Sequence, residues 1–160
     1  MALLIVGLNG SNAFSMENDE IYDYIELASG MSLRLDAKKM EIIMGRHSVV
    51  DARNCADKPQ YKCIIGGGGY FIFPINKISE DMMWEYEGKY FRVTRKINRQ
   101  IFGKKYITYV IRRKEGDDNY WYLFSQENGL LAFGEMDRSA ISTFVLQGKC
   151  GFASSSRCKN

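Results

Sequence analysis

The only histidine of the chain, His47, is the residue that any Ser–His or Cys–His mechanism would have to use. Ser48 follows it directly, and on a strand two adjacent side chains point to opposite faces. Asp51 could orient the imidazole only if the backbone turned. The chain contains no G-x-S-x-G or H-E-x-x-H motif. A surface or turn histidine is therefore favoured, no residue is assigned to catalysis, and enzyme activity is not the leading hypothesis.

Positive charge is concentrated between Gly88 and Lys114, a span with ten of the chain's 22 lysines and arginines and no acid. Aromatic residues are interleaved with these bases. This pattern indicates a basic-aromatic face that binds an acidic protein or another polyanion. A solvated outer face is the alternative, as is usual for charge runs. If Phe91 and Ile107 point inward, strand alternation places Arg92 and Arg112 outward. The predicted binding residues are Arg92, Arg95, Lys96, Arg99, Lys104, Lys105, Tyr106, Arg112, Arg113 and Lys114.

The four cysteines form two pairs of equal spacing, Cys55/Cys63 and Cys150/Cys158. Two local disulfides are the simplest pairing, although four cysteines permit three connectivities. Zinc sites usually have closer C-x₂₋₄-C spacing, and one histidine adds little to such a site. The sequence therefore predicts disulfides, no metal and no cofactor. Paired cysteines favour an oxidising compartment, so the protein is predicted to be periplasmic or secreted.

The first fifteen residues resemble the back half of a secretory signal. Met1–Gly7 is apolar, and Ala13 and Ser15 have the small-residue spacing of a cleavage site. The basic leading end of a signal is missing, so residues 1–15 are a possible truncated signal peptide, and a short buried strand at Ala2–Val6 is the alternative. Seven apolar residues are too few to span a bilayer, so no transmembrane segment is predicted.

Four consecutive glycines, Gly66–Gly69, invite comparison with a phosphate-binding loop. Such a loop opens a helix and usually carries a following Lys and Ser or Thr. Here the glycines lead into Tyr70–Phe73, a predicted strand that ends at Pro74. A flexible crossing or bulge is therefore the preferred interpretation.

The elements that must position these residues are strands. Three aromatic and β-branched runs, Tyr106–Arg112, Tyr120–Ser125 and Leu130–Phe133, are separated by segments rich in Gly, Asp and Asn. They predict an antiparallel meander. The expected fold class is all-β, or β-dominated α+β, an antiparallel sandwich or small barrel with one or two short helices. A short helix capped by Ser15 or Asn18 is one alternative at the N-terminus, and Ser79–Tyr86 is the best helix candidate after it, with Ser79 as the N-cap.

A chain of 160 residues without an evident linker predicts one β-rich domain over residues 16–160. The leading functional hypothesis is an exported, disulfide-stapled, non-catalytic binding protein of the inhibitor or immunity type. It would present a basic-aromatic β face to an acidic protein or polyanion. The alternative is a small hydrolase, such as a ribonuclease, acting on an anionic substrate with His47 as general base.

Overall fold

The computed structural model describes residues 20–101, 104–115, 118–136 and 141–155, and the possible signal segment 1–15 lies outside them. The described residues form β-strands joined by turns and loops, without a helix, so the all-β class is confirmed. The strands are β1 (Ile21–Glu26), β2 (Ser32–Asp36), β3 (Glu41–Met44), β4 (Ser48–Asp51), β5 (Tyr61–Gly66), β6 (Gly69–Pro74), β7 (Met83–Tyr86), β8 (Lys89–Ile101), β9 (Lys104–Glu115), β10 (Asp118–Ser125), β11 (Gly129–Met136) and β12 (Ile141–Leu146).

Ten of these strands form one antiparallel sheet, in the order β4-β3-β2-β1-β12-β11-β10-β9-β8-β7. Strands β1 and β12 are the fourth and fifth in this order, and Ile25 lies opposite Val145. The remaining strands, β5 and β6, form a separate hairpin. A single bridge, Arg53 to Ile65, links the segment after β4 to β5. The early and late parts of the chain therefore build one sheet, and the β5–β6 hairpin between them in sequence is separate from it.

Aromatic rings fill the space between the sheet and the β5–β6 hairpin. Phe73 of β6 stacks on Phe124 with ring centroids 4.6 Å apart, and Phe71 contacts Phe133 edge-on at 4.9 Å. Phe133 in turn stacks on Phe144 of β12. The sheet side that meets the hairpin is called the inner face, and the opposite side is the outer face. The hydrophobic core lies between the inner face and this hairpin.

The predicted meander is confirmed as β9, β10 and β11, and β8 extends it by a long pairing with β9. The register shifts between Val93 and Arg95, a β-bulge at which Thr94 donates its hydroxyl to Val110 O. The described residues of Lys96–Lys105 are part of this long hairpin.

The predicted helix at Ser79–Tyr86 is wrong, because Met83–Tyr86 is strand β7. Its burial alternates, with Trp84 and Tyr86 buried and Met83 exposed. The next two residues, Glu87 and Gly88, have φ of 50° and 72° and form a two-residue turn into β8. Positive φ at both central positions is typical of the hairpin turn whose twist matches its strands. This turn pairs the extended residues before it, in β7, with those after it, in β8.

The four glycines form the turn of the β5–β6 hairpin. Gly66 pairs with Gly69, and Gly67 and Gly68 between them have φ of 55° and 80°. This is the same hairpin turn type, which glycine adopts without steric cost. A Cβ at Gly66 would lie 2.7 Å from Asp51 O, so close backbone approach also requires a glycine there.

Candidate functional site

The strand register assigns the predicted basic residues to faces, because directly paired residues point to the same side of a sheet. Met83, Arg92, Arg112 and Trp121 are successive partners across β7 to β10. Buried Phe91 and Ile111 alternate with them on the inner face. The row that contains Arg92 and Arg112 therefore lies on the outer face, and both arginines are exposed.

Two further bases join them on the outer face. Lys114 pairs with Tyr90, and Arg95 pairs with Val110 beyond the bulge. The structure thus brings together four of the predicted bases, Arg92, Arg95, Arg112 and Lys114, all of them exposed.

The other predicted residues lie elsewhere. Lys96 and Lys105 are exposed on the inner side of the β8–β9 hairpin, and half-buried Tyr106 is on the outer side by register. Arg99 and Lys104 belong to β8 and β9, but their side chains are outside the described part.

Arg113 does not lie on the outer face. It is 1% exposed on the inner face, in the row of Phe91 and Tyr120. Its guanidinium carbon is 3.8 Å from the centroid of the Tyr120 ring and 4.8 Å from that of Tyr70. A desolvated cation between two ring faces is held by their quadrupoles.

Sequence reasoning missed the apolar residues of the outer face. Trp121 is the partner of Arg112, and three large side chains stand around this pair with high exposure: Met83 (70%), Ile141 (67%) and Tyr90 (62%). Rows of paired residues connect them across the sheet from β7 to β12. Alternation with Tyr120 and Tyr122 on β10 could have predicted that Trp121 points outward. The residues beside Trp121 on neighbouring strands depend on the pairing register.

Glycine shapes the outer face beneath Trp121. Gly134 is the partner of Trp121 on β11, and a Cβ at Gly134 would lie 3.0 Å from Trp121 Nε1. The indole therefore uses the space that a side chain would occupy. The Arg112 Nη1 group reaches Met136 Sδ at 3.3 Å on the far side of β10. Arg92 forms an exposed ion pair with Asp81 at 3.1 Å.

One predicted disulfide lies within the described chain. Cys55 and Cys63 are joined, with Cα atoms 5.5 Å apart, and both are buried. Cys150 is also disulfide-bonded, and its predicted partner Cys158 lies outside the described residues.

A half-open cavity of about 240 Å³ lies on the inner face beside the glycine turn. Its lining includes apolar side chains, the four glycines and the polar residues Arg113, Glu135 and Ser142. Arg113 thus belongs to the wall of this cavity and not to the outer binding face.

His47 is exposed in the turn between β3 and β4. It lines neither the cavity at the glycine turn nor the shallower one near the Cys55–Cys63 disulfide. This position gives no support to a general-base role.

The chain matches no protein-family model, no curated protein and no solved structure. The described residues include no helix that is long and apolar enough to cross a membrane. Within the same ranges, no group of three or more His, Cys, Asp or Glu residues is placed to hold a metal ion.

Proposed function

We propose that this protein is an exported, disulfide-stapled, non-catalytic binding protein whose outer face binds an acidic surface of another protein. The observation that carries the proposal is the pairing of Trp121 with Arg112 inside a rim of exposed Met83, Tyr90 and Ile141. Tryptophan, tyrosine and arginine are the residues most enriched at the energetic centres of protein interfaces. An inhibitor or immunity-type protein needs such a rigid surface and no catalytic group.

Charge favours an acidic partner. The described outer face of β8 and β9 carries Arg92, Arg95, Arg112 and Lys114, and the acids beside it are Asp81 and Glu85 of the neighbouring β7 region. Cations at the rim of an interface steer an acidic partner and lose this effect in salt. Protein is favoured over nucleic acid because large aliphatic and thioether side chains share this face with the bases.

The buried disulfide between Cys55 and Cys63 supports export, because disulfides persist in oxidising compartments. A periplasmic or extracellular partner follows from this location.

The test compares two triple variants with the same change of net charge. The face variant is R92Q/R112Q/K114Q, and the control K39Q/K58Q/K77Q removes three exposed lysines from loops. Proteins captured by the natural chain and the control, but not by the face variant, are purified and titrated at low and physiological salt. We expect the face variant to bind an acidic protein at least tenfold more weakly at low salt, with a flatter salt dependence.

A single variant tests the centre of the face. Trp121→Ala should weaken the same complex roughly thirtyfold, as for an interface residue worth about 2 kcal/mol. Identical capture by the face and control variants would reject the proposal. Capture that disappears after nuclease treatment would replace the acidic protein by a nucleic acid.

A further inference from the structure

An apolar row crosses the middle of the outer face. It consists of directly paired residues on five neighbouring strands, β1, β12, β11, β10 and β9, and they are Ile25, Val145, Ala132, Leu123 and Val110. The residues that alternate with them, such as Tyr24 and Phe144, are buried on the inner face. The side of an antiparallel sheet that faces water is normally polar. A row with no polar member therefore points to a second protein surface that covers it.

Two pairs of like charges lie toward opposite ends of the outer face. Arg92 and Arg112 are directly opposite each other on β8 and β9 and are called the basic pair. Glu41 and Asp51 are opposite each other on β3 and β4 and are called the acidic pair. The acidic pair points outward, because Ile42 alternates with Glu41 and is buried on the inner face. Like charges directly opposite each other destabilise a sheet, so each pair gains from an opposite charge on another molecule.

The charges near these pairs leave the difference in sign in place. Arg34 of β2, on the acidic side, is paired with Asp23. Arg92 forms an ion pair with Asp81, but both side chains are exposed and such pairs contribute little. One end of the outer face is thus acidic and the other end is basic.

A second copy of this chain supplies the countercharge at both ends. Dimers are most often two-fold symmetric, so that the same surface of each copy contacts that of the other. In the order of the sheet, β12 lies midway between the strands of the acidic pair and those of the basic pair. A two-fold axis that lies in the interface near Val145 of β12 therefore sets the acidic pair of each copy against the basic pair of the other. The apolar rows of the two copies meet at this axis.

The outer face is large enough for a stable dimer. From β3 to β8 there are seven strand spacings of about 4.8 Å, which give a width of roughly 34 Å. Strands β10 and β11 are 8 residues long, which is roughly 27 Å. The resulting area, on the order of 900 Å², matches the ~800 Å² that each partner buries in a standard interface.

We propose that this protein, in the absence of its acidic partner, forms a two-fold symmetric dimer through the outer face. The apolar rows of the two copies pack against each other, and the acidic pair of each copy binds the basic pair of the other. This dimer goes beyond the proposed function and is tested without any partner. Where both proposals hold, the second copy and the acidic partner compete for the basic pair.

Sedimentation velocity of the purified natural chain between about 1 and 500 µM tests the dimer. We expect the mass of a dimer at about 100 µM, as for a micromolar dissociation constant. Val145→Glu sets two unpaired carboxylates against each other at the axis and should raise the dissociation constant at least tenfold. Ile75→Glu, the same type of change at an exposed loop position, should leave it unchanged. A natural chain that stays monomeric over this whole range would overturn the proposal.

A charge swap on the surface tests the orientation of the two copies, and it decides the question if Val145→Glu does not fold. R92E/R112E makes both ends of the outer face acidic, and E41K/D51K makes both ends basic. Each variant alone should be monomeric at about 100 µM, because like charges face each other in the two-fold dimer. An equimolar mixture should again form a dimer, since ends of opposite charge then meet. Variants that dimerise alone like the natural chain, or that do not associate when mixed, would overturn the proposal.

The E41K/D51K variant also separates the dimer from the proposed function. It leaves the bases of the outer face intact, so capture of an acidic partner should persist when the dimer is lost. Partner capture by a natural chain that never dimerises would assign the apolar row to the partner and reject the dimer. A dimer that captures no acidic partner would reject the proposed function alone.

Discussion

The guanidinium of Arg113 lies against the ring of Tyr120, with 3.8 Å between the guanidinium carbon and the ring centroid. The Tyr70 ring, from the β5–β6 hairpin, contacts the same guanidinium at 4.8 Å. The buried Arg113 side chain thus links β9 and β10 of the large sheet to the β5–β6 hairpin. Arg112, its neighbour in sequence, is exposed on the opposite face.

Arg113→Lys should destabilise the protein by about 1–2 kcal/mol, because an ammonium cannot stack as a planar group between two rings. Arg112→Lys is the matched control and should change the free energy of unfolding by less than about 0.5 kcal/mol. Urea unfolding followed by circular dichroism measures both. Equal midpoints for the two variants would show that the stacked geometry does not contribute to stability.

Gly134→Ala should destabilise the protein by about 1–3 kcal/mol, as expected for overpacking. The new methyl group would collide with the Ser142 carbonyl and lie 3.0 Å from Trp121 Nε1. We also expect a shift of tryptophan fluorescence, since the Trp121 indole must move. Gly148→Ala is the control, because its Cβ would meet nothing nearer than Cys150 O at 3.9 Å. A stability for Gly134→Ala equal to that of Gly148→Ala would contradict the described contact.

The acid stability of the protein should depend on Glu26. Hydrogen bonds from the Ser29 hydroxyl and from the backbone N–H groups of Ser29 and Ala28 lower the pKa of Glu26 to about 2. A carboxyl whose pKa is lowered by folding stabilises the folded state at every pH above its ordinary pKa of 4.5. This contribution is lost as the pH falls toward 2. Glu26→Gln should therefore be less stable than the natural protein at pH 7, and the difference should shrink between pH 4.5 and 2.

Thermal unfolding at several pH values measures this difference, and NMR titration of the Glu26 carboxyl measures its pKa directly. A difference between Glu26→Gln and the natural protein that stays constant from pH 7 to pH 2 would rule out the linkage.

Removal of the Cys55–Cys63 disulfide should cost about 2–3 kcal/mol by the chain-entropy estimate for a loop with a sequence separation of 8. The double variant C55A/C63A keeps small apolar groups in the two buried positions. Its urea midpoint is compared with that of the oxidised natural protein. Matching midpoints would mean that the disulfide does not stabilise the fold.

The sequence predicted the fold where the signal was local. Burial alternates within Tyr120–Ser125, and the predicted run coincides with most of β10. The N-cap residue Ser79 predicts a helix over Ser79–Tyr86, but the burial of Trp84 and Tyr86 alternates as in a strand. The positive φ of Glu87 was not visible in the sequence, since a hairpin turn tolerates glutamate there only in its tertiary setting.

The candidate sites depend on register, which the sequence does not specify. Alternation alone puts Arg112 and Arg113 on opposite faces, but a count of charges treats them alike. The partners of Trp121 follow from the turns that set the pairing of β9, β10 and β11. Prediction of the cavity would require the tertiary packing as well as the register, because the cavity forms only when the glycine turn lies beside the row of Glu135 and Ser142.

Tyr24→Phe should destabilise the protein by about 1–3 kcal/mol. The buried Tyr24 hydroxyl donates a hydrogen bond to Leu130 O at 3.0 Å and accepts one from the Phe152 N–H at 3.2 Å. It therefore ties β1 to β11 and to the segment after β12. Loss of the hydroxyl leaves the buried Phe152 N–H without this acceptor, and such groups are costly. Tyr90→Phe, on the exposed outer face, should change the urea midpoint little, and an equally small change for Tyr24→Phe would show that the two hydrogen bonds contribute nothing to stability.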